Sequence, residues 1–159
     1  MSDDTLRFSF SYARMRTLQW FGGIDEATAL KVAPGFGNHI LWHLGHIHAI
    51  AENVHEALGQ PREHSDEWWQ LFKYGAKPLE TPPGAWPSAG EILQRLRDQG
   101  PRLEAAIAAA DEQALAAPNP SPAPHRPDTV RGWIVHTIQH ENLHLGMISS
   151  MRNMLKRLG

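Results

Sequence analysis

Proline residues constrain the fold of this chain more than any other feature, because proline removes a backbone donor and biases the preceding residue to extended geometry. Between the proline-rich stretches lie four proline-poor segments with apolar residues at helical spacing, roughly 5–22, 38–59, 88–115 and 128–158. No stretch of convincing length alternates between apolar and polar residues as a half-buried strand does. We therefore predict an all-α fold, a four-helix bundle with a long crossover between its second and third helices.

Length and charge narrow the class of protein. At 159 residues the chain is expected to form one domain, residues 1–159, around a single hydrophobic core. A formal net charge of −2 gives no electrostatic reason to expect nucleic acid or an anionic membrane as a partner. The sequence begins MSDDTLRFSF, without the basic and then apolar layout of a signal peptide, and no apolar run approaches the roughly 18 residues of a membrane span. We expect a cytoplasmic protein with no membrane or nucleic-acid partner.

Local signals mark the beginnings of two of the predicted helices. Ser88, with Glu91 three residues later, is typical of a capping box, in which each side chain binds a free backbone N–H at the helix start. Asp128 or Thr129 is expected to cap the last helix in the same way.

Other local signals predict interruptions between and within the helices. The crossover, residues 61–87, contains SDEWWQLF, which favours one short helix. The loop APNPSPAPHRPD, residues 117–128, is interpreted as a surface loop in preference to a docking ligand for another domain. Gly100-Pro101 is expected to kink or briefly break the third helix.

The last predicted helix has a stripe of residues at steps of three and four that we expect to face the core. The stripe reads Trp, Thr, His, His, Met, Met, Met and Leu at positions 133, 137, 140, 144, 147, 151, 154 and 158. His140 and His144 lie in its middle, one turn apart on one face. Burying two imidazoles in an apolar core costs folding free energy unless each has a hydrogen-bond or metal partner. A metal ion between them is one solution, and a pair of hydrogen-bonded core histidines is the other.

The second predicted helix carries five histidines, so it is the expected source of a third ligand. At 100° per residue, His43 lies nearer the centre of the apolar stripe than His46, and spacing alone slightly prefers His43. His48 and His55 fall on the other side of the helix, where we expect them to be solvated.

Four further histidines lie outside the expected ligand set. His39 is a candidate to extend the ligand set, and His136 precedes His140 by one turn; either is a candidate to orient a ligand through its other ring nitrogen. His64 and His125 lie in predicted loops and carry no metal signal.

Residues 140–144 read HENLH, which matches the H-E-x-x-H motif of one group of metalloproteases. Proteases of this type usually take their third ligand from downstream, and no histidine, aspartate or glutamate follows His144. Glu141 is also rotated about 100° from its neighbours on the stripe. A protease is therefore the least favoured interpretation, and we keep Glu141 out of the predicted catalytic set.

Three stretches taken together resemble a known family. They are NHILWHLGHIHAIAE, then WWQLFKYGAKP with WPSAGEILQRL, then HTIQHENLHLGMI. In order and separation they resemble the DinB-like (YfiT-like) superfamily of metal-binding four-helix bundles, over residues 10–155. The resemblance implies that His46, in the W-x-L-x-H-I motif, holds a divalent metal ion together with His140 and His144. We choose His46 on this ground and keep His43 in reserve; Met147 stands where the family often has glutamine.

The resemblance also implies a chemistry. Three imidazoles leave a divalent ion, zinc or nickel first and iron as a third candidate, with open positions for water or substrate. The chain has no cysteine, so any thiol must come from a small molecule. Several relatives are metal-dependent transferases or isomerases that use a low-molecular-weight thiol, and we expect a thiol and an electrophile as substrates. A non-catalytic metal-binding protein of stress response is the alternative, and relatives imply a homodimer.

Two features near the expected site have two interpretations each. The crossover aromatics form either a wall beside the metal or a cover over the core; they are Trp68, Trp69, Phe72, Tyr74 and Trp86. Gly146 either permits close backbone approach near the metal or eases helix packing.

Overall fold

The computed structural model describes residues 3–121 and 125–158, which form seven α-helices and two short 3-10 turns, and no strand. Four helices are long and correspond to the four predicted segments. They are α1 (Asp4–Phe21), α3 (Ile40–Ala57), α5 (Ala89–Ala109) and α7 (Val130–Leu158). The short ones are α2 (Glu26–Ala29), α4 (Asp66–Phe72) and α6 (Glu112–Ala116). The all-α prediction is confirmed, and α4 is the short helix expected within the crossover.

The side chains that begin the helices are largely those that the sequence indicates. Ser88 accepts a hydrogen bond from the backbone N–H of Glu91 at 3.1 Å and caps α5. The Glu91 carboxylate binds Arg95 at 3.1 Å, so it is engaged with the next turn. Thr129 accepts from the N–H of Gly132 at 3.1 Å and caps α7. Each cap satisfies one N–H that has no partner within its own helix.

Helix α5 differs from its prediction at two places. It continues through Gly100-Pro101, so of the expected kink or break the break does not occur. It ends at Ala109, although the pattern predicts helix to residue 115. Asp111 is the physical reason for a separate α6, because its carboxylate accepts from the N–H of Ala114 at 2.8 Å and starts a new helix. Residues 122–124 of the predicted surface loop before α7 lie outside the described residues.

Pairs of contacts fix the directions of the four long helices. Helices α1 and α7 are parallel, because Arg14 binds Glu141 and, further along both, the Trp20 carbonyl accepts from Arg152. Helices α3 and α7 are antiparallel, because His43 contacts His144 while the later His46 lies beside the earlier His140.

Contacts between α3 and α5 explain the long crossover. Gln99 donates to Glu52 and Arg102 donates to His55, so α3 and α5 run parallel. Two consecutive parallel helices cannot be joined by a tight turn, since the chain must return along the length of the bundle. The connection of residues 58–88 performs this return, as the predicted crossover between the second and third long helices requires.

Buried apolar residues form two clusters, which corrects the prediction of a single core. Each cluster has residues from all four long helices. One includes Phe21, Leu44, Leu96 and Ile148, and the other includes Phe10, Val54, Leu103 and Trp133. Buried polar side chains lie between the two clusters along α1, α5 and α7, and beside α7 on α3. We call them the polar layer: Arg14, Thr17, His43, His46, Gln99, Thr137, Glu141 and His144. A helical wheel that counts apolar positions cannot detect this layer. Most of its members tolerate burial because they have hydrogen-bond partners on other elements: Glu141 for Arg14, His144 for His43, and the Phe72 carbonyl for His46.

The centre of the polar layer is an ion pair between α1 and α7. Arg14 and Glu141 are 3% and 1% exposed. The guanidinium donates to the two carboxylate oxygens at 2.9 and 3.1 Å and to the Leu96 carbonyl at 2.9 Å. One side chain therefore joins three of the four long helices.

The buried side of α7 is rotated from the predicted stripe. Glu141 lies inside it, His140 lies at its half-buried edge, and Met154 and Leu158 are exposed. The rotation follows from Arg14, which supplies the charge that Glu141 needs for burial.

On α3 the prediction that His48 and His55 are solvated is wrong. Both are buried, because α4, α5 and α7 surround this helix. Helix α3 is continuous through Gly45. Gly45 allows close packing, because a Cβ there would lie less than 3.0 Å from the Phe72 ring. At Gly146 a Cβ would meet no atom of the described residues within 4 Å, so none of them approaches closely there.

Removing the guanidinium of Arg14 is expected to destabilise the bundle strongly. Arg14→Ala leaves a buried carboxylate without its partner, which costs about 3–5 kcal/mol in the free energy of unfolding. The measurement is urea denaturation followed by circular dichroism. Arg7→Ala is the control, since Arg7 pairs with Glu104 at the surface and its loss costs no more than about 1 kcal/mol. Equal losses in the two variants would contradict a special role for the buried pair.

Candidate metal centre

His46 approaches the middle of the bundle from α3 and is held by the crossover. It is 3% exposed, and its Nδ1 donates to the backbone carbonyl of Phe72 at 2.5 Å. This donation fixes the tautomer, so Nε2 carries the lone pair. Trp42 stacks on the His46 ring with centroids 4.5 Å apart and limits its rotation.

His140 and His144 approach from α7, one turn apart. Their Nε2 atoms are 3.1 Å apart, and their ring centroids are 4.3 Å apart. Each ring also lies 5.0 Å from the His46 ring. His144 is buried and His140 is half-buried, so His140 lies on the side of the cluster nearer to solvent.

The three histidines form a group with the composition of a metal site. One nitrogen from each lies within 4.8 Å of the others. Among residues 3–121 and 125–158, no other set of three ligating side chains meets the same condition. Two imidazole nitrogens bound to one tetrahedral zinc ion lie about 3.3 Å apart, given bonds of about 2.0–2.1 Å. The 3.1 Å between the Nε2 atoms of His140 and His144 is close to that separation.

Burial keeps these imidazoles neutral. It lowers the pKa of His144 to about 2 and that of His140 to about 3, and the neighbouring histidines add to both effects. Burial also lowers the pKa of His46, although its hydrogen bond to Phe72 opposes the change. A neutral imidazole has a lone pair to give to a cation. The residues present therefore fit a divalent ion.

His43, the alternative third ligand, occupies a different place. Its Nδ1 lies 2.7 Å from Nδ1 of His144, on the opposite edge of the His144 ring from Nε2. It is not part of the group that can share one ion. The structure therefore brings together His46, His140 and His144, the ligands that the resemblance implies. His43, which helical spacing slightly prefers, contacts His144 from outside this group.

The other two candidates do not join the ligand set. His39 caps α3, because its Nδ1 accepts from the N–H of Trp42 at 3.0 Å. His136 is half-buried and stacks between Trp133 and His140, with centroid distances of 5.1 and 6.1 Å. Neither makes a hydrogen bond to a triad histidine within the part of the chain that the structure describes.

The position of Glu141 bears on the peptidase interpretation. Both of its carboxylate oxygens accept hydrogen bonds from Arg14, on the side of α7 that faces α1. A general base must be free to reach a water beside the metal. The arrangement gives Glu141 a role in helix packing and no support to a peptidase.

The crossover aromatics mainly cover the core, which is the simpler of their two interpretations. Trp68 and Phe72 are buried within the first apolar cluster, and Trp69 and Trp86 pack against it. Tyr74 is exposed. The contribution of the crossover to the site is a backbone group, the carbonyl of Phe72.

Two functional contacts were missed from the sequence. A backbone carbonyl has no sequence signature, so the hydrogen bond from His46 to the Phe72 carbonyl could not be predicted from the sequence. Arg14 did have one. It stands among the buried positions of α1 with Phe10, Thr17 and Phe21, where a lone cation implies a buried anion.

The fold and the site together define a class of protein, an all-α bundle with three converging imidazoles between two of its helices. The family comparison agrees with that description, since a family model of the DinB superfamily matches residues 9–148. The chain therefore belongs to the DinB superfamily. A search of curated proteins found no match. None of the described helices has the length and apolar character needed to cross a membrane.

The neutral histidines predict that the protein without metal becomes less stable in mild acid. Their pKa values in the folded state lie far below 6.5, the value expected in the unfolded state. The unfolded state therefore binds more protons as the pH falls below about 6.5, and stability is full above that pH and lost below it. Each such histidine contributes up to roughly 1.4 kcal/mol per pH unit. Urea denaturation from pH 7.5 to 5 checks this, and a constant midpoint would contradict it.

Proposed function

We propose that His46, His140 and His144 hold one divalent metal ion, zinc or nickel before iron, and that the chain, acting as one domain, is a metal-dependent enzyme. The proposed reaction transfers a low-molecular-weight thiol to an electrophile or isomerises a thiol adduct. The observation that carries the proposal is the convergence of three neutral imidazoles within 4.8 Å. Membership of the DinB superfamily supports it.

The chemistry of the donor set favours catalysis over a structural metal. A structural zinc site has four protein ligands, whereas a catalytic one has three and an open position. The described part of the chain offers a group of three. A bound ion would supply Lewis acidity and favour the thiolate form of a thiol. With no cysteine in the sequence, that thiol is an exogenous small molecule.

The protein's own residues define where such a substrate would approach. Trp42 and the Phe72 backbone close the His46 side of the cluster. His140 is half-buried and His136 beside it is also half-buried, so the accessible side lies along this turn of α7. We expect the thiol and the electrophile to enter there.

A non-catalytic metal-binding protein of stress response is the second candidate. It is favoured by the enclosure of the site, because two of the three histidines are buried and only His140 reaches solvent. Both candidates require the metal, and they differ only in turnover.

The test uses protein purified without a polyhistidine tag and loaded with zinc, nickel or iron. We expect one metal per chain and metal-dependent conjugation of a chlorinated substrate or an epoxide with one of a panel of thiols, including bacillithiol, mycothiol and glutathione. His144→Ala removes one of three ligands and should abolish both stoichiometric metal binding and turnover. His125→Ala is the matched control, because His125 is exposed in a loop, and it should retain both.

The outcomes separate the alternatives. Metal-loaded protein without turnover for any thiol would favour the non-catalytic candidate. A peptidase would instead cleave casein and lose that activity on Glu141→Gln. Protein that binds no metal would overturn the proposal as a whole.

The outer face of α1 supports a homodimer. Phe8, Tyr12 and Trp20 are 67%, 50% and 47% exposed. Phe8 stacks on Tyr12, and Arg16 lies over the rings of Tyr12 and Trp20. Contact about a two-fold axis requires that residue i meets residue j and the reverse. Phe8, Tyr12, Arg16 and Trp20 form a stripe along the outer face of α1. Two antiparallel copies of this stripe satisfy the rule, since Phe8 would meet Trp20 of the second copy and Tyr12 would meet its Arg16.

Charge on this stripe is expected to separate the proposed dimer. The double variant Phe8→Glu and Trp20→Glu places like charges opposite each other, because residue 8 of one copy would face residue 20 of the other, and sedimentation equilibrium should show a shift from dimer to monomer. Leu79→Glu adds charge at another exposed apolar residue, 61% exposed on the crossover, and should leave the dimer unchanged. A wild-type chain that stays monomeric at about 100 µM, well above the micromolar range of weak association, would overturn the interface.

A further inference from the structure

His43 is a buried histidine that neither the ligand set nor the caps of the helices use. It lies on α3, 4% exposed, with its Nδ1 2.7 Å from Nδ1 of His144. That distance is typical of a hydrogen bond and shorter than the roughly 3.3 Å between two imidazole nitrogens on one zinc ion. The two imidazole rings are therefore hydrogen-bonded to each other directly, with no place for an ion between these two nitrogens.

The direction of this hydrogen bond follows from the role of Nε2, the other ring nitrogen of His144. Nε2 of His144 faces Nε2 of His140, so Nε2 is the atom that meets the ion in the proposed site. A neutral imidazole with its lone pair on Nε2 carries its proton on Nδ1. His144 must then donate through Nδ1, and His43 accepts through its own Nδ1.

The three ligands are not held equally. His46 is fixed by its donation to the Phe72 carbonyl at 2.5 Å. His144 has the corresponding bond to His43. Within residues 3–121 and 125–158, no such partner binds Nδ1 of His140, which lies at the half-buried edge. The two buried ligands are thus each oriented by one acceptor, one from a backbone and one from a side chain.

We propose that His43 is a positioning residue, which accepts the Nδ1 proton of His144 and so holds the His144 Nε2 lone pair towards the metal. The inference rests on the proposed metal centre and adds a residue to it that does not touch the ion. Second partners of this kind raise ligand basicity and fix ring orientation, and their loss typically lowers metal affinity 10- to 100-fold.

The experiment measures zinc affinity by competition with a chromophoric chelator and records the absorption spectrum of the cobalt-loaded protein. His43→Leu removes the acceptor, and affinity should fall about 10- to 100-fold. His43→Asn places an amide oxygen near the position of Nδ1 and should restore affinity to within a few-fold of the wild type. The cobalt spectrum should change in the leucine variant and return in the asparagine variant.

His48→Leu is the matched control, because His48 is 3% exposed on the same helix and contacts Trp68 instead of the triad. It should leave zinc affinity unchanged. The urea midpoint of each metal-free variant separates positioning from folding, since a purely structural role would lower the midpoint of His43→Leu and leave its affinity close to that of the wild type.

Two results overturn the inference while leaving a metal protein. One is unchanged zinc affinity and an unchanged cobalt spectrum in His43→Leu. The other is loss of all binding in both His43 variants while His46→Ala retains zinc, which would make His43 the ligand. If the wild type binds no metal, the proposed function itself fails, and the His43 role fails with it.

Discussion

The buried ion pair between Arg14 and Glu141 is the constraint on which the arrangement of the bundle depends. It joins α1 to α7 and reaches the Leu96 carbonyl on α5, so three long helices share one guanidinium. Because Glu141 must face α1, the neighbouring residues of α7 are fixed in rotation. His140 and His144 consequently face α3, where His46 lies. A rotation of α7 by one residue, about 100°, would bring Glu141 towards the triad and leave a buried cation without its partner.

The polar layer also explains why the interior is divided. Two apolar clusters lie on either side of it, each with residues from all four long helices. The clusters supply the burial that stabilises the bundle, since roughly 25 cal/mol is gained per Å² of apolar surface removed from water. The layer between them supplies little net stability, but its specific pairs, Arg14 with Glu141 and His43 with His144, determine register. The candidate site lies beside these pairs, since His144 belongs to one of them and Glu141 neighbours His140.

The long crossover links topology to the site. Since α3 and α5 are parallel, the chain needs a connection that returns along the bundle, and α4 packs within that connection against α3. Gly45 allows Phe72 to approach closely, and the Phe72 carbonyl then accepts the proton of His46. A connection that topology requires therefore also orients one of the three histidines.

Sequence patterns by themselves determined the helical class, the four long segments, the short helix in the crossover and the caps at Ser88 and Thr129, because these depend on local spacing and backbone donors. Motif resemblance selected His46, whereas periodicity preferred His43. Tertiary structure alone decided which face of α7 is buried, that His48 and His55 are enclosed, and that the core is divided. The reason is physical: a helical wheel treats charge as a signal of exposure, but a charge whose partner comes from another helix, as Arg14 comes to Glu141, can be buried.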